Sequence, residues 1–172
     1  GHDHIHFDGN AFQAGFNYLV KQKKTMIEEI SNDNFSAARQ ALGRATHSWQ
    51  DFYSHSNYVK LWLEKSGNLP PEEIKINDFN LIHHKELRSG KNYGLIEFMA
   101  LIPGIANWIT PHMPADSHAK MNLDGPVSGE LFPYAFSAAL KQTRALFDDM
   151  MAQIKHLENS QERVSAFQDL QG

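Results

Sequence analysis

Three side chains of types that bind metal ions recur at every fourth position in one segment: His47, Asp51 and His55. On an α-helix, positions i, i+4 and i+8 turn by only about 40° per step and rise about 6 Å per step, so the three side chains line one face. About 12 Å of rise separates His47 from His55, which is too far for one ion and suitable for two. Asp51 has two carboxylate oxygens and could bridge them. The spacing predicts a metal site.

The alternative interpretation of this face is a solvated or hydrogen-bonded polar stripe. Two features favour metal binding. Trp49, Phe52 and Tyr53 flank the three residues and indicate partial burial. Buried ionisable groups are normally paired or coordinated.

A second cluster lies near the start of the chain, where His2, His4 and His6 alternate with other residues. In an extended segment this alternation places three imidazoles on one side, which suits metal capture. The alternative is a remnant of an expression tag or a mobile tail. The irregular spelling HDHIH, followed directly by an amphipathic pattern, favours a native segment.

A third cluster follows in a polar segment, where His118 and Asn122 have i, i+4 spacing and Asp124 supplies a carboxylate. On its own this signal is weak, because Asp and Asn in loops usually form turns. His83, His84 and His156 have no carboxylate at a suitable spacing and are interpreted as surface or core residues.

The composition limits the chemistry. The chain has 172 residues with 10 His and no Cys, and the histidine content is about two to three times that of an ordinary soluble domain. Without cysteine, the chain has no disulfides, thiolate zinc fingers, iron–sulfur clusters or cysteine nucleophile. The net charge of −4 argues against a basic surface for duplex nucleic acid or anionic membranes. Metal sites with nitrogen and oxygen ligands remain.

The elements that must position these residues have helical periodicity, so the predicted fold is all-α: a single compact domain over residues 1–172 with a metal site between helices and a long loop. A first helix is predicted from Phe12 to about Ile30. A second runs from Phe35 to about Glu64 and stops at the Gly and Pro residues that follow. The strongest helix spans about 131–157, and 158–172 is predicted as a polar helix or tail.

Two other segments carry expectations. Residues 72–93 are predicted as a polar connector with a short ordered piece, and 110–133 as a long loop. The most apolar stretch, residues 94–110, is too short and too interrupted by Pro103 and Gly104 to span a bilayer, and is predicted as a buried helical segment with a turn. No transmembrane segment and no signal peptide are visible.

The motifs together resemble those of a known superfamily. The His6-Phe7 opening, residues 41–57 (ALGRATHSWQDFYSHSN) and residues 116–124 (DSHAKMNLD) resemble, in this order, the zinc-dependent phospholipase C and single-strand nuclease superfamily. The DFYSHSN spelling is most similar to its Het-C-like branch. The resemblance covers about residues 2–124.

This resemblance implies an all-helical fold with two or three zinc ions, and a ligand set drawn from the three histidine clusters. His6, His47 and Asp51 would hold one ion, with Asp51 bridging, and His55 and His118 would hold another. Asn122 stands where the family has a Glu, so Asp124 is expected as the replacement ligand. The family's remaining His, its catalytic Asp and its terminal amine precede the His-Phe segment. Either Asp3, His2 and the N-terminus of this chain take these roles, with Asp3 catalytic, or the three-metal centre is incomplete. His4 is expected as a further metal ligand.

The resemblance also implies a zinc metallohydrolase, a phospholipase C-like enzyme of lipid degradation in which a metal-activated water attacks a phosphodiester, with Asp51 and Asp3 as catalytic residues. Trp49, Tyr53 and Tyr58 are candidates for contacts with a lipid substrate, the alternative being core packing. The alternative functions are a non-catalytic Het-C-like helical module whose metal cluster is structural, and a nuclease. The family likeness implies a secreted or extracytoplasmic protein, and it allows transient contact with a membrane surface.

Overall fold

A computed structural model describes residues 4–100, 102 and 104–168, and these residues form helices joined by turns and loops. No β-strand occurs in the described ranges, where two isolated bridges join Ser56 to Ser89 and Lys91 to Ser117. The all-α prediction is therefore confirmed. In chain order the helices are α1 (Phe12–Ser31), α2 (Phe35–His55), α3 (Tyr58–Ser66), α4 (Phe79–Ile82), α5 (Leu95–Ala100), α6 (Ala106–Ile109), α7 (His118–Met121), α8 (Phe132–Ile154) and α9 (Ser160–Gln168).

Helix α2 lies at the centre of the fold and packs against both α1 and α8. Its first half buries three alanines, Ala38, Ala41 and Ala45, at spacings of three and four residues. Small side chains at these positions allow the neighbouring helices to approach closely, and the spacing keeps them on one face. The second half carries the aromatic residues of the core and the predicted metal ligands, so α2 joins the core to the site.

An aromatic side chain of the segment before α1, that of Phe7, enters the core. Phe7 is fully buried and has a left-handed backbone conformation with φ of 58°. Its ring lies against Phe16 and Phe52, with centroids 5.1 and 5.2 Å away. A Cβ atom on Gly15 of α1 would stand 2.5 Å from the Phe7 ring. Glycine at position 15 therefore makes the room that Phe7 occupies.

The predicted second helix is interrupted at Ser56, which is extended, and the chain continues as α3. The hydroxyl of Ser56 donates to the carbonyl of Phe52, and the amide of Tyr58 donates to that hydroxyl. Asn57 exchanges hydrogen bonds with the backbone of Arg88 in both directions. These contacts satisfy the polar groups that the break exposes. The expectation of one continuous helix to about Glu64 is therefore wrong.

The apolar segment 94–110 contains α5 and α6, but several of its described side chains are exposed and not buried as predicted. Leu95, Phe98 and Trp108 are among its exposed side chains, with 73% of the surface of Trp108 accessible. The hydrophobic content of the segment therefore does not reflect a place in the core. No helix in the described part of the chain combines the length and the apolar character needed to cross a bilayer.

The other expectations hold in outline. Helix α1 ends at Ser31, as predicted, and α8 matches the predicted strongest helix with slightly shorter bounds. The connector 72–93 contains one short helix, α4. The long segment after residue 110 is mostly irregular but includes α7, which begins at His118. The polar end forms α9, and residues 169–172 lie outside the described ranges.

Candidate metal centre

Six of the predicted and neighbouring residues converge in two groups of three. The first, named here the His6 cluster, consists of His6, His47 and Asp51. The second, the Asp8 cluster, consists of Asp8, His55 and His118. In each cluster, one potential ligand atom from every residue lies within 4.8 Å of the others. The residues come from the segment before α1, from α2 and from the first turn of α7, so the fold assembles sites from distant parts of the sequence.

The His6 cluster is centred on one carboxylate oxygen. Oδ2 of Asp51 lies 2.6 Å from Nδ1 of His6 and 3.2 Å from Nε2 of His47. The two imidazole rings meet edge to face with centroids 5.3 Å apart. Asp51 is buried, whereas His6 and His47 remain 40% and 56% exposed. One side of this cluster therefore faces solvent.

The Asp8 cluster is more enclosed. Oδ1 of Asp8 lies 3.2 Å from Nδ1 of His118 and 3.8 Å from Nδ1 of His55. The two imidazole rings are close, with centroids 4.3 Å apart. Two ligands bound tetrahedrally to one zinc ion at about 2.0–2.1 Å lie about 3.3–3.4 Å from each other. The separations in the Asp8 cluster are close to this value, so the arrangement suits an ion with small side-chain adjustments.

His55 has one ring nitrogen without a hydrogen bond. Its side chain is buried, and within the described part of the chain Nδ1 has no hydrogen-bond partner. The other nitrogen, Nε2, lies 3.2 Å from both carboxylate oxygens of Asp124. A buried polar atom left unpaired costs free energy, typically about 1–3 kcal/mol. The Nδ1 atom is therefore positioned for a ligand that none of the described residues supplies.

Asp124 lies against the nitrogen of His55 that faces away from the Asp8 cluster. The hydrogen bond from His55 holds the pKa of the Asp124 carboxyl below its usual value, although partial burial acts in the opposite direction. The carboxylate is thus an acceptor, and in neutral His55 the Nε2–H donates to it. The lone pair is then on Nδ1, which faces the Asp8 cluster. Carboxylates that hold the second nitrogen of a metal-binding histidine in this way orient the ring.

The backbone around the Asp8 cluster is fixed by hydrogen bonds between loops. The amide of Gly9 donates to the carbonyl of Gly90. The amide of Gly90 donates to the carbonyl of His55. The amide of His118 donates to the carbonyl of Lys91. A Cβ atom on Gly90 would lie 2.7 Å from the Cα atom of His118. Residue 90 must therefore be glycine for α7 to approach this closely.

The predicted ligands are only partly those that the structure brings together. His6, His47, Asp51, His55 and His118 lie in the two clusters. Asp124 contacts the outer nitrogen of His55, opposite to the cluster, which is a different place from the ligand position that the resemblance implied.

Two predicted residues near the chain start have other positions. His4 lies against the ring of Tyr18, with centroids 5.6 Å apart, and is in neither cluster. Asp3, which the resemblance implied to be catalytic, lies outside the described residues, as does His2.

One cluster member, Asp8, was not predicted. Asp8 follows His6 by two residues, and Phe7 between them enters the core, so the two side chains reach different clusters. In the sequence, the signal for Asp8 as a cluster member is its position two residues after His6, with a core phenylalanine between them. This signal identifies Asp8 only if the segment is expected to cross the end of α2.

The aromatic residues predicted as substrate contacts lie in the core. Tyr53 and Tyr58 are fully buried, and Trp49 is half-buried and stacks on Tyr53 with centroids 6.0 Å apart. The hydroxyl of Tyr53 donates to Gln142 of α8 at 3.0 Å. Burial raises the pKa of Tyr58 to about 12 and also raises the pKa of Tyr53. For the two tyrosines, the structure therefore agrees with the alternative expectation, which was packing in the core.

Comparisons with known proteins relate the N-terminal part of the chain to one family model. Residues 1–79 match the model of the VWA7 N-terminal domain. The von Willebrand factor A domain-containing protein 7 of Mus musculus and that of Homo sapiens are each 40% identical to this chain over 57 residues, which are 33% of the chain. The match covers 6% of the length of these relatives. No solved structure matches the chain significantly.

These comparisons correct the family expected from the sequence. No family of the phospholipase C and nuclease superfamily matches the chain, so the assignment to that superfamily and to its Het-C-like branch is wrong. The phospholipase C-like hydrolase function and its role in lipid degradation are wrong with it. The motif was misleading because His-x3-Asp-x3-His on a helix is a ligand spacing that any helical metal site can use. The N-terminal part of the chain is similar to the VWA7 N-terminal domain.

Proposed function

We propose that the chain forms a non-catalytic helical domain that binds two zinc ions, one in the His6 cluster and one in the Asp8 cluster. In this proposal the ions have a structural role. They fasten the segment before α1 and the first turn of α7 to the C-terminal half of α2. The domain would then serve as a stable module within a longer protein of the kind named for its relatives, von Willebrand factor A domain-containing protein 7.

The observation that carries the proposal is the unpaired Nδ1 of His55. This atom is buried beside a carboxylate and a second imidazole, and none of the described residues gives it a hydrogen bond. In the tautomer that donates from Nε2 to Asp124, the lone pair of Nδ1 points toward the Asp8 cluster. A metal ion is the partner that would satisfy the lone pair and the Asp8 carboxylate together.

The donor atoms favour zinc among the common divalent cations. Each cluster offers two imidazoles and one carboxylate, and the chain has no cysteine. Imidazole suits zinc and other transition metals, whereas magnesium and calcium prefer oxygen ligands. Two neutral imidazoles and one carboxylate around a divalent ion leave a net charge of +1, so the ion offsets the negative charge that folding places there.

A structural role is supported by how the Asp8 cluster is built. Its residues come from positions 8, 55 and 118, and the side chains of Asp8 and His55 are 16% and 7% exposed. Binding of an ion to ligands from distant positions contributes to folding, because these ligands are not gathered in the unfolded chain. The hydrogen bonds that Gly90 makes to both sides of the cluster indicate that the loops are fixed around it.

Metal analysis of the full untagged chain tests the proposal. We expect close to two zinc ions per chain by inductively coupled plasma mass spectrometry after gel filtration in metal-free buffer. His55→Ala should retain about one ion, since only the Asp8 cluster loses a ligand. His156→Ala is the matched control, because this exposed histidine belongs to neither cluster. The control should retain two ions.

Two results would contradict the proposal. The first is a folded protein with no bound zinc, whose thermal unfolding is unchanged by zinc addition or by chelator. The second is an equal zinc content in the wild type and in His55→Ala. If His55→Ala does not fold, the chelator experiment on the wild-type chain still decides the question.

Several expectations stay predictions. The expectation that the chain is an enzyme stays a prediction, and turnover by the zinc-loaded protein would contradict the non-catalytic role. A secreted or extracytoplasmic location also stays a prediction. Transient contact with a membrane surface is supported by the exposed side chains of Leu95, Phe98 and Trp108. No binding of duplex nucleic acid is expected, because the net charge is −4.

A further inference from the structure

The two clusters differ in how far solvent reaches their ligands. In the His6 cluster, the side chains of His6 and His47 are 40% and 56% exposed. In the Asp8 cluster, the most exposed side chain is that of His118, at 27%. The shell around a metal site controls the access of solvent and of competing ligands to the ion. An ion in the His6 cluster is therefore the easier of the two for a chelator to reach.

The ligands of the His6 cluster can satisfy one another without an ion. Nδ1 of His6 lies 2.6 Å from Oδ2 of Asp51, which is the distance of a hydrogen bond to a charged acceptor. Nε2 of His47 lies 3.2 Å from the same oxygen. Zinc therefore replaces contacts that these residues make with each other, and the buried carboxylate keeps polar partners when the ion leaves. Release of the ion from this cluster leaves no buried ligand atom unpaired.

The Asp8 cluster has no such substitute at His55. The Nδ1 atom of this ring is buried and has no hydrogen-bond partner among the described residues. Oδ1 of Asp8 lies 3.8 Å from it, which is beyond hydrogen-bonding distance. Release of an ion would leave this atom unpaired inside the protein, which is unfavourable. Asp124 contacts the outer nitrogen of the ring and orients it for the ion.

The elements that carry the ligands also differ between the clusters. Two ligands of the His6 cluster, His47 and Asp51, lie one turn apart on α2, so only His6 comes from another segment. The Asp8 cluster combines three separate segments, which backbone hydrogen bonds of Gly90 and Lys91 hold together. Opening the Asp8 cluster therefore requires loops to separate, whereas the His6 cluster opens when one side chain moves.

We propose that the two zinc sites are unequal. The Asp8 cluster retains its ion as long as the domain is folded, whereas the His6 cluster exchanges its ion with zinc ligands in the surrounding solution. This inference rests on the proposed function, since both clusters must bind zinc. The exchange partners are small chelators, or proteins that present nitrogen, oxygen or sulfur donor atoms at an accessible surface. The domain then carries one ion that maintains the fold and one that responds to free zinc.

The test is release of zinc from the full untagged chain to an excess of the chromogenic chelator 4-(2-pyridylazo)resorcinol. We expect two phases of about one ion each, with the fast phase at least about tenfold faster than the slow phase. His47→Ala should remove the fast phase and keep the slow phase. His156→Ala is the matched control, because this exposed histidine belongs to neither cluster. The control should keep both phases.

Asp124→Asn tests the slow phase without removing a ligand of either cluster. Loss of a group that orients a metal-binding histidine typically weakens metal binding about 10–100-fold. The slow phase should therefore accelerate by about this factor, while the fast phase stays unchanged. Asp148→Asn, on the exposed side of α8, is the matched control and should leave both phases unchanged.

A chemical footprint of the wild-type chain assigns the phases independently of any variant. Diethyl pyrocarbonate modifies accessible histidines, and a bound ion protects the histidines that hold it. Mass spectrometry should show modification of His6 and His47 increasing with the fast phase. Modification of His118, which is partly exposed, should increase only with the slow phase.

Four outcomes would overturn the inference: release of both ions in one phase, a fast phase that persists in His47→Ala, an Asp124→Asn variant that changes only the fast phase, or modification of His118 before that of His6 and His47. If His47→Ala does not fold, the footprint of the wild-type chain decides. Zinc content is measured before the chelator is added. A chain that holds no zinc refutes the proposed function itself, whereas a chain that releases two ions at one rate refutes only the difference between the sites.

Discussion

Oδ1 of Asp8 lies 3.2 Å from Nδ1 of His118, although 110 residues separate the two along the chain. His55, which lies between them in the sequence, faces the same oxygen at 3.8 Å. An ion bound by all three would close a very long loop. By analogy with covalent cross-links, closing a loop of about 100 residues contributes about 4–5 kcal/mol through the lost entropy of the unfolded chain.

This relationship predicts the effect of Asp8→Asn. We expect the variant to lose one of two zinc ions, because an amide oxygen is a poorer zinc ligand than a carboxylate. With zinc present, its Tm should fall by about 10 °C, as loss of about 4 kcal/mol implies for a chain of this size. Metal analysis and thermal unfolding monitored by circular dichroism measure both effects.

The control for this substitution is Asp148→Asn on the exposed side of α8. It should change neither the zinc content nor Tm by more than the experimental error. In chelator, Asp8→Asn and the wild type should unfold at similar temperatures. A full 10 °C difference that persists in chelator would mean that Asp8 acts without metal.

Gly90→Ala should disturb the Asp8 cluster without changing any ligand. The added methyl group would meet the backbone of His118 at 2.7 Å, so α7 has to move away. We expect zinc content to fall from about two ions to about one, with the ion of the His6 cluster retained. Gly43→Ala is the control, because a Cβ atom there meets nothing within 4 Å and alanine favours the helix. Retention of both ions and of the wild-type Tm in Gly90→Ala would contradict this account.

Tyr53→Phe distinguishes a core residue from a ligand contact. The substitution removes the hydrogen bond to Gln142 and leaves a buried amide oxygen without its donor. The free energy of unfolding should decrease by about 1–3 kcal/mol, measured by urea denaturation. Zinc content should stay unchanged. Tyr18→Phe, at a partly exposed position, should have little effect. An unaltered stability in Tyr53→Phe would contradict the core role of the Tyr53 hydroxyl.

The ion pair between Lys23 of α1 and Asp149 of α8 predicts a small pH effect. The hydrogen bond from Lys23 holds the pKa of the Asp149 carboxyl below its usual value, against a smaller effect of burial. Because the folded-state pKa is depressed, the stabilisation is present at neutral pH. It is lost as pH falls below about 3.9, the ordinary value for Asp. Both side chains are more than a third exposed, so screening limits the contribution to about 1 kcal/mol or less.

Urea denaturation of the wild type and Asp149→Asn between pH 2 and pH 7 measures this contribution. The difference in free energy of unfolding should be largest near neutral pH, vanish near pH 2 and shrink in 1 M salt. Asp148→Asn again serves as the control. A difference that grows on acidification would have the wrong sign and would exclude the ion pair as its source.

The sequence was sufficient to predict the long helices, because α1 and α8 keep apolar residues at spacings of three and four throughout. It was insufficient at Ser56, where the apolar period continues into α3 and the break depends on hydrogen bonds to Arg88. The burial of the apolar segment 94–110 was predicted wrongly. Hydrophobic composition shows that burial of these side chains would be favourable, but it does not show whether the core of the same chain buries them.

For the site, spacing along α2 identified His47, Asp51 and His55 as residues of one face. The spacing did not indicate that these three residues belong to two separate clusters. That division depends on how the segment before α1 crosses α2. Asp8 was overlooked for this reason. Asp124 was expected to bind an ion directly, but the side of the His55 ring that it contacts is a matter of three-dimensional position and has no signature in sequence spacing.

The contact between Gly15 and Phe7 has a consequence for how the sequence can change. Phe7 stands between one residue of each cluster, and its ring fills the space beside Gly15. A larger residue at position 15 would displace the ring, and the ring would carry His6 and Asp8 with it. Substitutions at positions 7 and 15 should therefore be accepted as compensating pairs, a small residue facing a large one. The residue at position 15 therefore constrains the positions of His6 and Asp8 without contacting either cluster.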